Sequence, residues 1–162
     1  MTKYDELSAK AIAAANRVNQ QETICEFKAS YVVSRFATRL GAPADRIATL
    51  ELDEELNPTN AARNLGDRPK IRQGRDGRWY FGVKVTYGDP RGMSWLWETM
   101  VWSIRPLDDA GKNVALGLLD ESDQDIGSDS ELDAFFDKII ARTNERFESG
   151  FTAGRKGVGF NA

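Results

Sequence analysis

The segment from Trp95 to Arg105 constrains the fold most strongly, because an extended chain here is apolar on both faces. Alternation along a strand places Leu96, Met100, Trp102 and Ile104 on one face, and Trp95, Trp97 and Val101 on the other. A strand with one face in water carries polar residues at every second position. The pattern therefore predicts a strand covered on both faces, either by helices on each side of a sheet or by a partner chain or ligand on one side.

The preceding segment, Arg78 to Tyr87, has the alternation of a half-buried antiparallel strand. One face carries Trp79, Phe81, Val83, Val85 and Tyr87, and the other carries Tyr80, Gly82, Lys84 and Thr86. Gly74-Arg75-Asp76-Gly77 separates this segment from a shorter strand-like run, Lys70 to Gln73. Because the Asp-Gly pair favours a turn with positive φ angles, the two runs are predicted to form a hairpin.

Apolar residues at helical spacing predict helices at both ends of the chain. The first spacing covers Tyr4, Leu7, Ala11, Ala14 and Val18, and continues through Cys25, Ala29, Val32, Val33, Phe36 and Leu40. Thr23 and Glu26 have the spacing of a capping box, and the pattern leaves open whether residues 3–40 form one helix or two. The second spacing covers Leu132, Phe135, Phe136, Ile139, Ile140 and Phe147, preceded by a possible capping box at Ser128 and Glu131 and followed by Gly150.

These elements predict an α+β fold. The sheet is expected to be an antiparallel meander of four or five strands from roughly Ile47 to Leu119, with N-terminal helices and a C-terminal helix packed on it. Asn57 to Asn60 is interpreted as a turn that caps a short helix through Leu65, and residues 120–129 as an acidic loop. Residues 1–150 are expected to form a single domain, and residues 151–162 a glycine-rich, basic C-terminal tail.

Composition excludes several kinds of site. The chain has no histidine and one cysteine, Cys25, so histidine-dependent triads, multi-cysteine metal sites and an internal disulfide are excluded. Its helical spacing places Cys25 in the core, where a thiol is inert. No apolar run approaches the roughly 20 residues that span a bilayer, and the N-terminus lacks the pattern of a signal peptide, so we expect a cytoplasmic protein.

The net charge of −3 combines two opposed regions. Residues 66–91 contain seven Lys or Arg and three Asp, and residues 107–138 contain ten acids and two lysines. Solvated faces of opposite sign account for this pattern most simply, although either region has the charge of a binding patch. The acidic loop at 120–127 does not match an EF-hand, and the sequence from Gly154 to Gly159 does not match a phosphate-binding loop, so no metal and no cofactor are expected.

Glu98 is the most informative single residue for function. By alternation it shares a face with Leu96, Met100 and Trp102, where a carboxylate needs a partner or a raised pKa. A buried acid in an aromatic environment is a candidate site residue. The pattern favours the simpler interpretation, in which an arginine such as Arg78 or Arg105 pairs with Glu98, or a bulge turns it outward.

The sequence favours a non-enzymatic binding or interaction protein that uses a tryptophan-rich sheet surface for a protein partner or for self-association. One alternative is a pocket between helix and sheet for a small anionic ligand such as a nucleotide. Another is single-stranded nucleic-acid binding through the basic strand region, although Trp79 and Phe81 fall on the apolar face. A carboxylate-based hydrolase is the weakest alternative. The candidate binding residues are Trp95, Trp97, Glu98, Trp102, Arg105, Arg78, Tyr80 and Lys84, with Arg72, Arg75 and Arg91 as weaker candidates for an anion.

Overall fold

A computed structural model describes residues 1–88, 95–149 and 158–161, with backbone only for residue 95 and residues 158–161. Residues 3–40 form one helix, α1 (Lys3–Leu40), which continues through the Asn19-Gln20-Gln21 sequence. It begins with a capping box in which Thr2 Oγ1 accepts a hydrogen bond from Asp5 N at 3.1 Å and the Asp5 carboxylate accepts one from Thr2 N at 2.9 Å. It ends at Gly41, whose φ of 73° lies in the left-handed region.

The other elements among the described residues are a 3₁₀ turn at Ala44–Arg46, eight strands and a second α-helix. They are β1 (Ile47–Leu52), β2 (Pro58–Asn64), β3 (Arg72–Gln73), β4 (Trp79–Tyr87), β5 (Trp95–Pro106), β6 (Val114–Leu118), β7 (Gln124–Ile126), α2 (Asp129–Glu148) and β8 (Val158–Asn161). All strand pairs are antiparallel, in the order β2-β1-β4-β5-β6-β7, with β3 paired to β4 and β8 paired to β5. The α+β class is confirmed, and the sheet has more strands than the four or five expected.

Three local predictions were wrong. The segment expected to be a short helix through Leu65 is strand β2, which follows a turn closed by hydrogen bonds from Glu55 N and Asn57 N to Asp53 Oδ1. Pairing with β1 therefore overrides the helix preference of the alanines in this segment. Part of the acidic loop is strand β7, paired with β6. Thr23 caps nothing, because it lies within α1 and its hydroxyl donates to Asn19 O at 3.2 Å.

Both helices pack on the same face of the sheet. The ring centroid of Phe36 from α1 lies 5.1 Å from that of Trp102, and the centroid of Phe136 from α2 lies 6.1 Å from it. The apolar face predicted for β4 lies beneath these rings, and Cys25 is fully buried in the same core. Burial also raises the pKa of the Cys25 thiol to about 12, so the thiol is inert at neutral pH.

The helices run parallel to each other and are joined by ion pairs. Arg35 Nε lies 3.0 Å from Asp133 Oδ1, and Arg39 Nη2 lies 2.8 Å from Asp137 Oδ2. The partners of both arginines lie 98 positions further along the chain, so one turn of α1 matches one turn of α2. Neither helix is long and apolar enough to span a membrane in the part of the chain that the structure describes.

Candidate functional site

The two faces of β5 have different surroundings. Glu98 and Trp102 point to the face where both helices pack, and their exposed fractions are 0% and 1%. Trp97, Thr99 and Val101 alternate with them and are only half-buried. Since α1 and α2 lie on the other side, neither described helix covers these three side chains. A sheet face without such cover is where a strand that is apolar on both faces meets solvent or a partner.

The strand register defines the surface that this face presents. Thr86 of β4 pairs with Trp97 of β5, and Lys84 pairs with Thr99. The Lys84 Nζ atom lies 5.5 Å from the centroid of the Trp97 ring, which is the distance of a cation–π contact. We call this surface the uncovered face, and it consists of Lys84, Thr86, Trp97, Thr99 and Val101.

Other parts of the chain bound the uncovered face on two sides. At Gly82, an added Cβ would lie 2.9 Å from Leu50 Cβ, because Leu50 is the cross-strand neighbour of Gly82, and Leu50 is only 5% exposed. At Gly117, an added Cβ would lie 3.1 Å from Asp123 Cα, because Asp123 immediately precedes β7 and lies beside β6. Leu50 and Ser103, which point to the same side of the sheet, are buried, so the accessible part of this side is the central region around Trp97.

Glu98 takes part in a buried polar cluster behind β5. Its carboxylate accepts a hydrogen bond from Thr143 Oγ1 at 2.9 Å and forms an ion pair with Arg146 Nη2. Burial raises the pKa of Glu98 above its ordinary value of 4.5, while the charge of Arg146 and the two hydrogen bonds act in the opposite direction. Burial, followed by the Glu98 charge, also raises the pKa of Tyr87. The predicted pairing of Glu98 with an arginine is confirmed, but the arginine belongs to α2 and is neither Arg78 nor Arg105.

A cavity of about 370 Å³ lies between α2 and β5, beside this cluster. It opens beside the part of β5 between residues 95–98, which pair with β8, and residues 102–106, which pair with β6. Arg142 and Arg146 of α2 line it together with Met100 and Ile139. Arg142 Nη1 lies 2.6 Å from Glu121 Oε1, and Arg146 Nε is buried without a hydrogen-bond partner among the described residues. The cavity thus combines apolar walls with two guanidinium groups, and its lining also includes Asp120 and, from the uncovered face, Thr99 and Val101.

The basic strand region does not form a continuous cationic surface in the described chain. Arg78 and Arg105 both pair with Asp123, at 3.4 Å and 3.6 Å, and Arg72 Nε donates to Leu52 O at 3.1 Å. Arg75 is exposed in the hairpin turn.

The remaining predicted site residues do not form one site either. Tyr80 is buried, and its hydroxyl donates to Asp76 Oδ2 at 2.5 Å; burial and this bond raise the pKa of Tyr80 to about 12. Trp102 belongs to the core and cannot contact a partner. Trp95 is described by backbone alone, and Arg91 lies outside the described residues. Trp97 and Lys84 are the predicted residues that the structure brings together on an accessible surface.

Sequence reasoning missed the α2 residues that contact Glu98. Arg146 lies seven positions after Ile139, which itself lies seven after Leu132, so Arg146 continues the buried side of α2. A cation on the apolar face of a helix is a signal that a buried anion lies opposite it. This signal was present in the sequence and would have identified the pair.

Comparisons with protein-family models, with curated proteins and with solved structures gave no match. Among the described residues, no group of three or more acids or cysteines is arranged to hold a metal ion. The uncovered face and the cavity are therefore the two features of the described chain on which a function can be based.

Proposed function

We propose that this chain is a non-enzymatic interaction protein that binds a second copy of itself through the uncovered face. The observation that carries the proposal is the packing of both helices on one side of the sheet, which leaves Trp97 and Val101 on the other. A half-buried tryptophan beside a β-branched residue provides the apolar centre typical of a binding hot spot. The threonines and Lys84 around it provide a polar rim.

The charge of the uncovered face favours a second copy as the partner. In a two-fold interface the same surface lies on both sides, so a surface with many charges of one sign would repel itself. Lys84 is the one charged residue among the five that define the uncovered face, and it already contacts an aromatic ring. The Lys84 side chain can make the same contact with Trp97 of the second copy without bringing like charges together.

Sedimentation velocity over a range of concentrations tests this proposal. We expect the wild-type chain of 18.1 kDa to shift toward a dimer as concentration rises, and Trp97→Ser to remain a monomer over the same range. Phe27→Ser is the matched control, because Phe27 is a 59% exposed aromatic residue on α1, away from the uncovered face. A wild-type chain that stays monomeric at every concentration, or equal effects of the two variants, would reject the proposal.

The cavity beside α2 supports a second candidate function, the binding of a small anionic ligand. The observation that favours it is the pair of guanidinium groups, of which Arg146 retains a buried Nε without a described partner. A carboxylate or phosphate in the cavity would contact the exposed part of the Arg146 side chain, with Met100 and Ile139 against the apolar part of the ligand.

Thermal-shift measurements with a panel of nucleotides and carboxylic acids test this second function. A ligand of the cavity should raise the melting temperature of the wild-type chain, and Met100→Trp should abolish the shift by filling the space. Lys112→Met, a cation removed from a turn outside the cavity, serves as the control. If no member of the panel shifts the transition, or if Met100→Trp responds like the wild type, the cavity has no such role.

A further inference from the structure

The first half of α1 extends beyond the rest of the described domain. Residues 9–21 are all exposed, whereas the second half buries residues from Cys25 to Ala37. The exposed half nevertheless carries large apolar side chains, with exposed fractions of 78% for Tyr4 and 65% for Leu7. An isolated helix of this length is marginal in water, and in proteins the burial of an apolar face supplies most of its stability.

Five of the exposed apolar residues in the first half, but not Ile12, lie on the same side of α1 as the buried ones. They are Tyr4, Leu7, Ala11, Ala14 and Val18, followed after nearly two turns by Cys25, Ala29, Val32 and Phe36. Successive members are separated by three, four or seven residues. Because an α-helix has 3.6 residues per turn, this spacing places all of them on one face of α1. The face that binds the sheet and α2 in the second half therefore continues unchanged through the first half.

A basic flank also continues along α1. Lys3, Lys10, Arg17, Lys28, Arg35 and Arg39 follow one another at steps of seven, seven, eleven, seven and four residues, each close to a whole number of turns. In the second half, this flank binds the acidic side of α2 through Arg35 and Arg39. Phe36 packs beside these ion pairs against Phe136 of α2, with ring centroids 5.3 Å apart.

The second half of α1 therefore shows which chemistry this face recognises: a helix with an apolar face and acidic residues along its edge. The first half presents the same apolar face and the same cations. A second copy of α1 matches these features poorly. In an antiparallel pair of α1 helices the basic flanks would face each other. In a parallel pair Lys3 and Lys10 would face Ser8 and Ala15 of the other copy, and of the three cations only Arg17 would meet an acid, Glu22.

We propose that residues 3–21 of α1 bind an amphipathic helix with an acidic flank, supplied by a different protein. The partner helix places apolar residues against Tyr4, Leu7 and Val18, and acidic residues about seven positions apart opposite Lys3 and Lys10. Arg17 lies at the boundary of this surface, beside the turn that contains Asp108 and Asp109. The surface is separate from the uncovered face, so the two proposals stand on different residues.

Two synthetic peptides test the proposal with the full chain. Each has about three heptads with leucine at positions a and d; one carries glutamate at e and g, and the other carries lysine. We expect fluorescence anisotropy to show binding of the glutamate peptide and at least tenfold weaker binding of the lysine peptide. Changing Lys3, Lys10 and Arg17 to Gln should weaken binding of the glutamate peptide by about tenfold, as expected for the loss of three exposed ion pairs.

The control changes the same amount of charge on the opposite side of α1. Ala9→Glu, Asn16→Glu and Gln20→Glu together alter the charge by the same three units, and should leave peptide binding within about twofold of the wild type once screened by salt. Leu7→Asn should abolish binding of the glutamate peptide, and circular dichroism checks that each variant keeps its helix content.

The proposal is overturned if both peptides bind equally, if neither binds, or if the control weakens binding as much as the Gln variant. It is also overturned if Leu7→Asn abolishes self-association in sedimentation, which would make a second copy the occupant of this surface. Trp97→Ser distinguishes the two proposals, because it should prevent self-association and leave peptide binding intact.

Discussion

Glu98 of β5 and Arg146 of α2 form an ion pair in which the carboxylate is fully buried and the arginine side chain is 40% exposed. The pair joins the strand that organises the sheet to the last turns of the C-terminal helix. The buried member of the pair is the carboxylate of Glu98. The charge of this buried carboxylate is therefore stabilised by Arg146, a cation that remains in contact with water. Changes at the two residues should therefore have unequal effects.

Removing the cation should destabilise the fold more than removing an exposed arginine one turn away. We expect Arg146→Met to lower the free energy of unfolding by about 3 kcal/mol, toward the lower end for a broken buried pair because Arg146 retains water contact. Arg142→Met is the matched control, since Arg142 pairs with the exposed Glu121 and should cost much less. Urea denaturation at a pH above the raised pKa of Glu98 measures both, and equal losses would show that Glu98 does not depend on Arg146.

The pKa of Glu98 leads to a pH-dependent prediction. Because burial raises this pKa in the folded state, the folded chain holds a proton that the unfolded chain releases above about pH 4.5. The contribution of Glu98 to stability is therefore fully present below pH 4.5. It is lost as the pH rises through the raised pKa of Glu98 in the folded state. Glu98→Gln cannot ionise, so the stability of the wild type relative to this variant should fall over that interval. A constant difference from pH 4 to pH 8, measured by urea denaturation, would contradict the assignment.

The ion pairs between the helices should show the opposite dependence. The hydrogen bond and charge of Arg35 lower the pKa of Asp133 below its ordinary value of 3.8. Its contribution to stability is present above pH 3.8 and is lost as the pH falls through the lowered value. Asp133→Asn should therefore lower the thermal midpoint at pH 7 and lose less stability than the wild type on acidification. Asp67→Asn, which removes an exposed carboxylate in a turn, should leave the midpoint at pH 7 unchanged.

The two tryptophans of β5 should contribute differently to stability. Trp102 is 1% exposed and contacts the rings of Phe36 and Phe136, so Trp102→Ala should cost about 3–5 kcal/mol. Trp97 is half-buried on the uncovered face, and Trp97→Ala should cost about 1 kcal/mol or less at concentrations where the chain is monomeric. Chemical denaturation at low protein concentration separates them, and comparable losses would place Trp97 in the core.

Much of the fold follows from local pattern. The alternation in β4 and β5 identified two central strands and the faces of their side chains, and the helical spacing identified α1 and α2. Strand β2 was missed because its sequence, with Asn60, Ala61 and Ala62, has little strand preference, and its conformation comes from pairing with β1. A strand that depends on such pairing leaves no signal in its own residues.

The site was predictable only in part, for a related reason. Alternation correctly placed Glu98 on the buried face, but it could not choose among the arginines, because the partner depends on how α2 crosses β5. Likewise, the pattern required cover on both faces of β5 without showing that both helices occupy the same face. That arrangement turned Trp97 into a surface residue and left Trp102 in the core.

The most direct test of the central claim is a distance measurement across the uncovered face. A spin label at Thr99→Cys reports on that face, and Cys25 needs no replacement because it is fully buried and its thiol is protonated at neutral pH. We expect pulsed electron resonance to show a defined intermolecular distance at Thr99 that disappears in the Trp97→Ser background, and none for a label at the exposed Thr38→Cys on α1. If the label at Thr99 gives a featureless decay at the concentrations where the wild-type chain is expected to be a dimer, the result would contradict the proposal that this face binds a second copy.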